Sequence, residues 1–152
     1  MANSLGSEDF AVLATVDPDA YAAGAQNSDW ADLGRFDQAL AIVFSGTMPA
    51  LGTIDAKLQQ ADSAAGGNAK DITGKAITQL TGADDDKQAV INCRAEELDS
   101  ANNFRFVRLV VTLGDTTSPA GTNDAMGVIL GLGSRYGPAS DNDLASVAEI
   151  VN

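Results

Sequence analysis

The run FRFVRLVVTL, Phe104 to Leu113, alternates strictly, with Val107, Leu109, Val111 and Leu113 on one face. Phe104, Phe106, Arg108, Val110 and Thr112 fall on the other. The run is rich in β-branched and aromatic residues, and its period of two suits a pleated strand and not a helix. One face is wholly apolar and belongs on a core. The mixed face is expected to be partly covered by the N-terminal segment or by another subunit.

Working outward, further segments share this period. In TIDAKLQQ, Thr53 to Gln60, Ile54, Ala56 and Leu58 point one way, while Thr53, Asp55, Lys57 and Gln59 point the other. This pattern predicts an antiparallel strand buried on one face. In FDQALAIVF, Phe36, Leu40, Ile42 and Phe44 share a face that Gln38 interrupts. QAVINCRA, Gln88 to Ala95, directs Ala89, Ile91, Cys93 and Ala95 inward. MGVILGL, Met126 to Leu132, closes the set, and its glycines mark a bulge or a close backbone approach. Turn-rich stretches separate these strands: Gly46 to Gly52, Ala61 to Ala69, Thr81 to Lys87 and Gly114 to Asn123. The expected fold is mainly β, an antiparallel β-sandwich or jelly-roll-like domain over residues 35–139.

The flanks read differently. Residues 1–34 are rich in Ala, Gly, Asp, Asn and Ser, with Pro18 and Gly24 breaking regularity, and are expected to form an irregular arm. Trp30, Leu33 and Phe36 would tack its end onto the sandwich, with Trp30 as a packing residue. Residues 140–152 are expected to form a short helix or tail. Ser140 and Asp143 supply a capping pattern, and Leu144, Val147, Ala148 and Val151 recur at helical spacing.

The 152 residues carry a net charge of −12, with no His and a single Cys. That length is enough for one self-sufficient core. The negative field argues against nucleic acid and anionic membranes as partners. Lone Cys93 cannot form an intramolecular disulfide. Met1 to Phe10 has neither a basic region nor an apolar stretch of the kind that opens a signal peptide. No run of 18 apolar residues suggests a membrane span.

Little catalytic chemistry is on offer. Without His, neither Ser–His–Asp nor Cys–His arrangements can be assembled. Asp84, Asp85 and Asp86 are consecutive, unlike the alternately spaced oxygens of a calcium loop. LGLGSRYG, Leu130 to Gly137, lacks the lysine and following helix of a phosphate loop. No catalytic residue, cofactor or metal is expected, and the chain reads as non-enzymatic.

The succession TIDAKLQQADS (Thr53 to Ser63), a Gly-rich loop, DITGKAITQLT (Asp71 to Thr81), NNFRFVRLVVTLG (Asn102 to Gly114) and RYGPAS (Arg135 to Ser140) resembles structural proteins of tailed bacteriophages. Within them it is most similar to capsid decoration, or cement, proteins. That resemblance implies a β-sandwich present in many copies on the exterior of a virion, made in the host cytoplasm and bound to the major capsid protein. It also implies a homo-oligomer, with a trimer favoured. The alternative is a carbohydrate- or receptor-binding β-sandwich module, of a head fibre or tail component, that uses Trp30 or Tyr136. The candidate capsid or subunit contacts are the apolar residues of the two flanks: Phe10, Val12 and Leu13, and Leu144, Val147 and Ile150. On this reading, residues 1–15 are dispensable for folding.

Overall fold

The computed structural model describes residues 4–117, 119–139 and 142–151. A four-residue helix, α1 (Gly6–Asp9), precedes ten strands. These are β1 (Phe10–Tyr21), β2 (Gly24–Asn27), β3 (Ala31–Asp32), β4 (Phe36–Ser45), β5 (Gly52–Ala61), β6 (Lys70–Ala76), β7 (Leu80–Thr81), β8 (Gln88–Arg94), β9 (Phe106–Asp115) and β10 (Asn123–Ser134). They form two antiparallel sheets packed as a sandwich. One sheet runs β1-β10-β4-β8; the other runs β2-β9-β5-β6, with β3 beside β9 and β7 beside β5. The mainly β, antiparallel sandwich expected from the alternating segments is what forms.

The second sheet follows the sequence pattern closely. Val107, Leu109, Val111 and Leu113 point into the core and are at most 2% exposed. Ile54, Ala56 and Leu58 join them from β5. Gly74, at φ +76°, lets β6 bulge where its register against β5 shifts between Lys57 and Gln59.

The first sheet inverts a simple hydrophobicity rule. Ala39, Ala41 and Val43 face the core, whereas Leu40, Ile42 and Phe44 are half-buried on the outer face. Leu40, Ile42 and Phe44 do share a face, but it is the outer one; Phe36, fully buried at the strand's start, parts from them. The cause is space. The inward rows of this sheet are Ala11, Gly131, Ala39 and Cys93, then Ala14, Ile129, Ala41 and Ile91, then Val16, Gly127, Val43 and Ala89. These mostly small residues make room for the large side chains of the opposite sheet. A Cβ on Gly127 would lie 2.4 Å from Leu109 Cδ2, and one on Gly131 would lie 2.8 Å from both Leu13 Cδ1 and Phe36 Cγ. Close-packed interiors leave no slack for either.

The flanks depart from expectation. Residues 10–21, placed in an irregular arm, are the long edge strand β1, paired with β10 from Phe10↔Leu132 to Tyr21↔Asn123. Bulges between Val12 and Ala14 and between Val16 and Asp19 conceal its period of two, which is why the strand does not show as alternation. Ala11 and Ala14 are fully buried, so residues 1–15 are not dispensable for folding. The expected cap Ser140 lies outside the described residues. The described residues beyond it, 142–151, form a single turn and no helix: the Asp143 carbonyl accepts from the N–H groups of Ser146 and Val147. Leu144 and Val151 stay 83% and 82% exposed, so no packed apolar face is present to propagate a helix past its costly first turn.

Replacing Gly131 with Ala drives a methyl into Phe36 and Leu13. We expect a loss of about 1–3 kcal/mol in urea unfolding, with the fold retained. Ala at exposed Gly137, whose Cβ would meet nothing within 4 Å, should leave that midpoint almost unmoved.

Candidate interaction surface

The two outer faces of the sandwich differ in kind. On the β9–β5 face, Lys57 pairs with Asp71 at 2.7 Å, and the Arg108 guanidinium donates to Gln59 Oε1 at 2.9 and 2.7 Å. Arg108 also lies over the Trp30 ring, 4.6 Å from its centroid. The loop residue Gly66 closes on the indole edge, so closely that a Cβ there would sit 2.4 Å from Nε1. Trp30 is thus half-buried on this outer face, packed by a loop and a cation, with one ring face already occupied. Tyr136 is 79% exposed.

The face formed by β1, β10, β4 and β8 carries few charges. Its side chains fall in rows across the strands. Thr15, Val128, Ile42 and Val90 form one row; Val12, Leu130, Leu40 and Asn92 form the next. Met126, Phe44 and Gln88 flank them on one side, and Phe10, Leu132, Gln38 and Arg94 on the other. Val90 is 53% exposed and Phe10 38%. The centre is apolar, the periphery mixes Phe10, Val12, Met126 and Val90 with amides, a hydroxyl and one guanidinium, and no carboxylate lies in any of the four rows. Beyond Phe44 and Met126 a shallow depression of about 430 Å³ opens against Pro18, Asp19, Ala20 and Asp124.

The expected contact residues separate. Phe10 and Val12 lie on this apolar face, while the bulge turns Leu13 toward the core. Leu144 and Ile150 are exposed, Val147 half-buried. Hydrogen bonds nonetheless bring the two flanks to one edge. The Ala139 N–H donates to Glu8 O at 2.9 Å, and the Asp143 N–H to Val12 O at 2.7 Å. Val12 N–H in turn donates to Asn142 Oδ1 at 2.8 Å. Leu40, Ile42, Phe44, Val128 and Leu130 belong to the surface but were absent from the expected contacts. The signal was present in MGVILGL, where two glycines on one face of β10 identify the close-packed side and so assign its large residues outward.

The remaining candidates are structural. Cys93 is 1% exposed, and burial first, then Glu97, pushes its thiol up to about 11 against the opposing pull of Lys75. Asp84, Asp85 and Asp86 shape the turn before β8. Lys87 donates to Asp84 Oδ1 at 2.9 Å, Thr81 N–H to Asp84 Oδ2 at 2.9 Å, and Met48 N–H to Asp85 Oδ1 at 3.0 Å. The Lys87 and Thr81 bonds hold the Asp84 carboxyl at about 2. Among the described residues, no three His, Cys, Asp or Glu side chains are gathered as metal ligands.

Two measurements follow from these environments. Cys93 should resist an aromatic disulfide reagent at pH 8 in the native protein and react fully in urea; fast native labelling would contradict its burial. Asp84 is depressed below 3.8, as are Asp71, Asp99, Asp115 and Glu97 below their ordinary values. Their contribution to stability is therefore present above the unfolded-state values and lost as pH falls through the folded ones. Acid titration of urea midpoints should show stability declining from about pH 4 toward pH 2. Asp84→Asn should flatten part of that slope.

No family model matches the chain, and no curated protein does. Solved structures are similar to it in fold. A chain in the structure of the infectious bursal disease virus Gt strain is 9% identical, with a TM-score of 0.48 over 86% of this chain and 33% of that one. A chain in the structure of broad bean stain virus is 12% identical, with a TM-score of 0.44 over 94% and 97%. A carbohydrate-binding module specific for non-crystalline cellulose is 11% identical, with a TM-score of 0.45 over 75% and 69%. The fold neighbours of this antiparallel β-sandwich thus include chains from virus particles and carbohydrate-binding modules.

Proposed function

We propose that this chain is a non-enzymatic structural protein of a virion, bound to the exterior of the shell as a decoration or cement subunit whose partner is the major capsid protein. The observation that carries the reading is the convergence of the two flanking segments at one edge of the sandwich. There they are tied by the bonds from Ala139 to Glu8 and from Asp143 to Val12. From that edge region they present Leu5, Leu144, Ile150 and Val151 to solvent. Apolar side chains held on short, extended segments of a rigid domain are suited to docking in grooves of a neighbouring protein. On a lattice, many copies of a modest contact stabilise the assembly together. The dense surface acids keep the free subunit soluble before it docks.

Copy number tests this directly. Quantitative peptide mass spectrometry on gradient-purified particles should give a ratio of order one to the major shell protein. Absence from particles would overturn the reading, and a handful of copies would move it to a fibre or tail part. Leu144→Asp with Ile150→Asp should weaken co-sedimentation with shells stripped of this protein by about tenfold or more, leaving thermal unfolding unchanged.

A further inference from the structure

We infer that the outer face of the β1-β10-β4-β8 sheet is a self-association surface, on which a second copy of this chain packs face to face about a twofold axis. The inference stands apart from shell attachment, which rests on the flanks.

Three features of the molecule select a second copy as the occupant. First is charge. Each copy carries −12, so two copies repel wherever acids oppose acids. The four rows of this face contain no carboxylate and one cation, Arg94, with Asp19 and Asp124 beyond the Phe44–Met126 margin, so a twofold contact centred on Ile42 and Leu130 keeps acids from opposing acids. Second is area. Four strands about 4.8 Å apart and four rows about 6.8 Å apart span roughly 500 Å² per copy. Two such faces bury on the order of 1,000 Å², at the lower end of specific interfaces. Third is anatomy. An apolar centre at Ile42, Val128, Leu40 and Leu130 continues into Phe10, Val12, Phe44, Met126, Val90 and Leu132, with Thr15, Gln38, Gln88, Asn92 and Arg94 supplying polar groups along the margin, as protein interfaces do. The layers of the fold explain why such a face exists. The small inward residues of this sheet are committed to Leu109 and its neighbours, so the bulky ones are left on the outer face, where they are half-buried among the described residues. Sheet-on-sheet packing about 10 Å apart would bury them as the core buries the other faces.

Sedimentation equilibrium of the full chain across the micromolar range tests this. The expected result is a species of twice the 15.6 kDa chain mass, with association strengthened by added salt because screening relieves repulsion between the acidic bodies. Ile42→Lys and Leu130→Lys, singly, should weaken association about 100-fold. Continued protection of the Cys93 thiol certifies that each variant is folded. If a lysine variant loses that protection, Ile42→Thr with Val128→Thr keeps the β-branched shape and should still weaken association about tenfold. A monomer at all concentrations, a trimer, or a dimer that survives these substitutions or weakens with salt would overturn the inference. A monomer found at high copy number on particles would do so while leaving the shell-attachment reading intact.

Discussion

The architecture depends on a mismatch of size between the two inward faces. The β9–β5 sheet contributes Ile54, Leu58, Val107, Leu109 and Leu113, all close to fully buried. The β10–β4 sheet answers with Ala39, Ala41, Gly127 and Gly131. Large residues on one layer interdigitate with absences on the other, and the two sheets are drawn close enough that Gly127 has no space for a Cβ. With aromatic residues at only 5% of the chain, close approach of the layers replaces bulky rings as the means of filling the interior.

That constraint propagates to the surface. A strand has two faces, and a sheet that spends its small residues inward displays its alternate residues outward. In β4 and β10 these are Leu40, Ile42, Phe44, Met126, Val128 and Leu130. The opposite sheet shows the reverse arrangement, with its large apolar residues inside and Asp55, Lys57, Gln59 and Arg108 outside. The molecule therefore has one charged broad face and one largely apolar one, a polarity set by core packing.

The edge strand β1 links this polarity to the flanks. Its bulges send Leu13 inward while Phe10 and Val12 stay on the apolar face. Val12 also takes its hydrogen bonds from the segment after β10, so one residue anchors both the face and the edge where the flanks meet. The acids crowded into residues 8–37 lie at the beginning, middle and end of this region. They include Asp17, whose carboxylate accepts the Thr15 hydroxyl at 3.2 Å, and Asp32, whose carboxylate caps Gly34 and pairs with Arg105 at 2.6 Å. Part of the negative charge thus organises local turns.

Alternation in Thr53 to Gln60 and Phe104 to Leu113 was enough to determine strand identity, inward set and fold class, because a half-buried strand writes its burial directly into period two. The inward choice of Ile91 and Cys93 was legible for the same reason. Three things required the tertiary structure. The strand in residues 10–21 was hidden because bulges reset its phase twice, and phase is what a period-two reading relies on. The helical spacing of Leu144, Val147 and Val151 was real in sequence but had no apolar surface to pack on, so a single turn formed. The direction in which Leu40, Ile42 and Phe44 point was decided by the opposite sheet, since hydrophobicity records that a side chain avoids water but not which of a strand's two faces it will occupy.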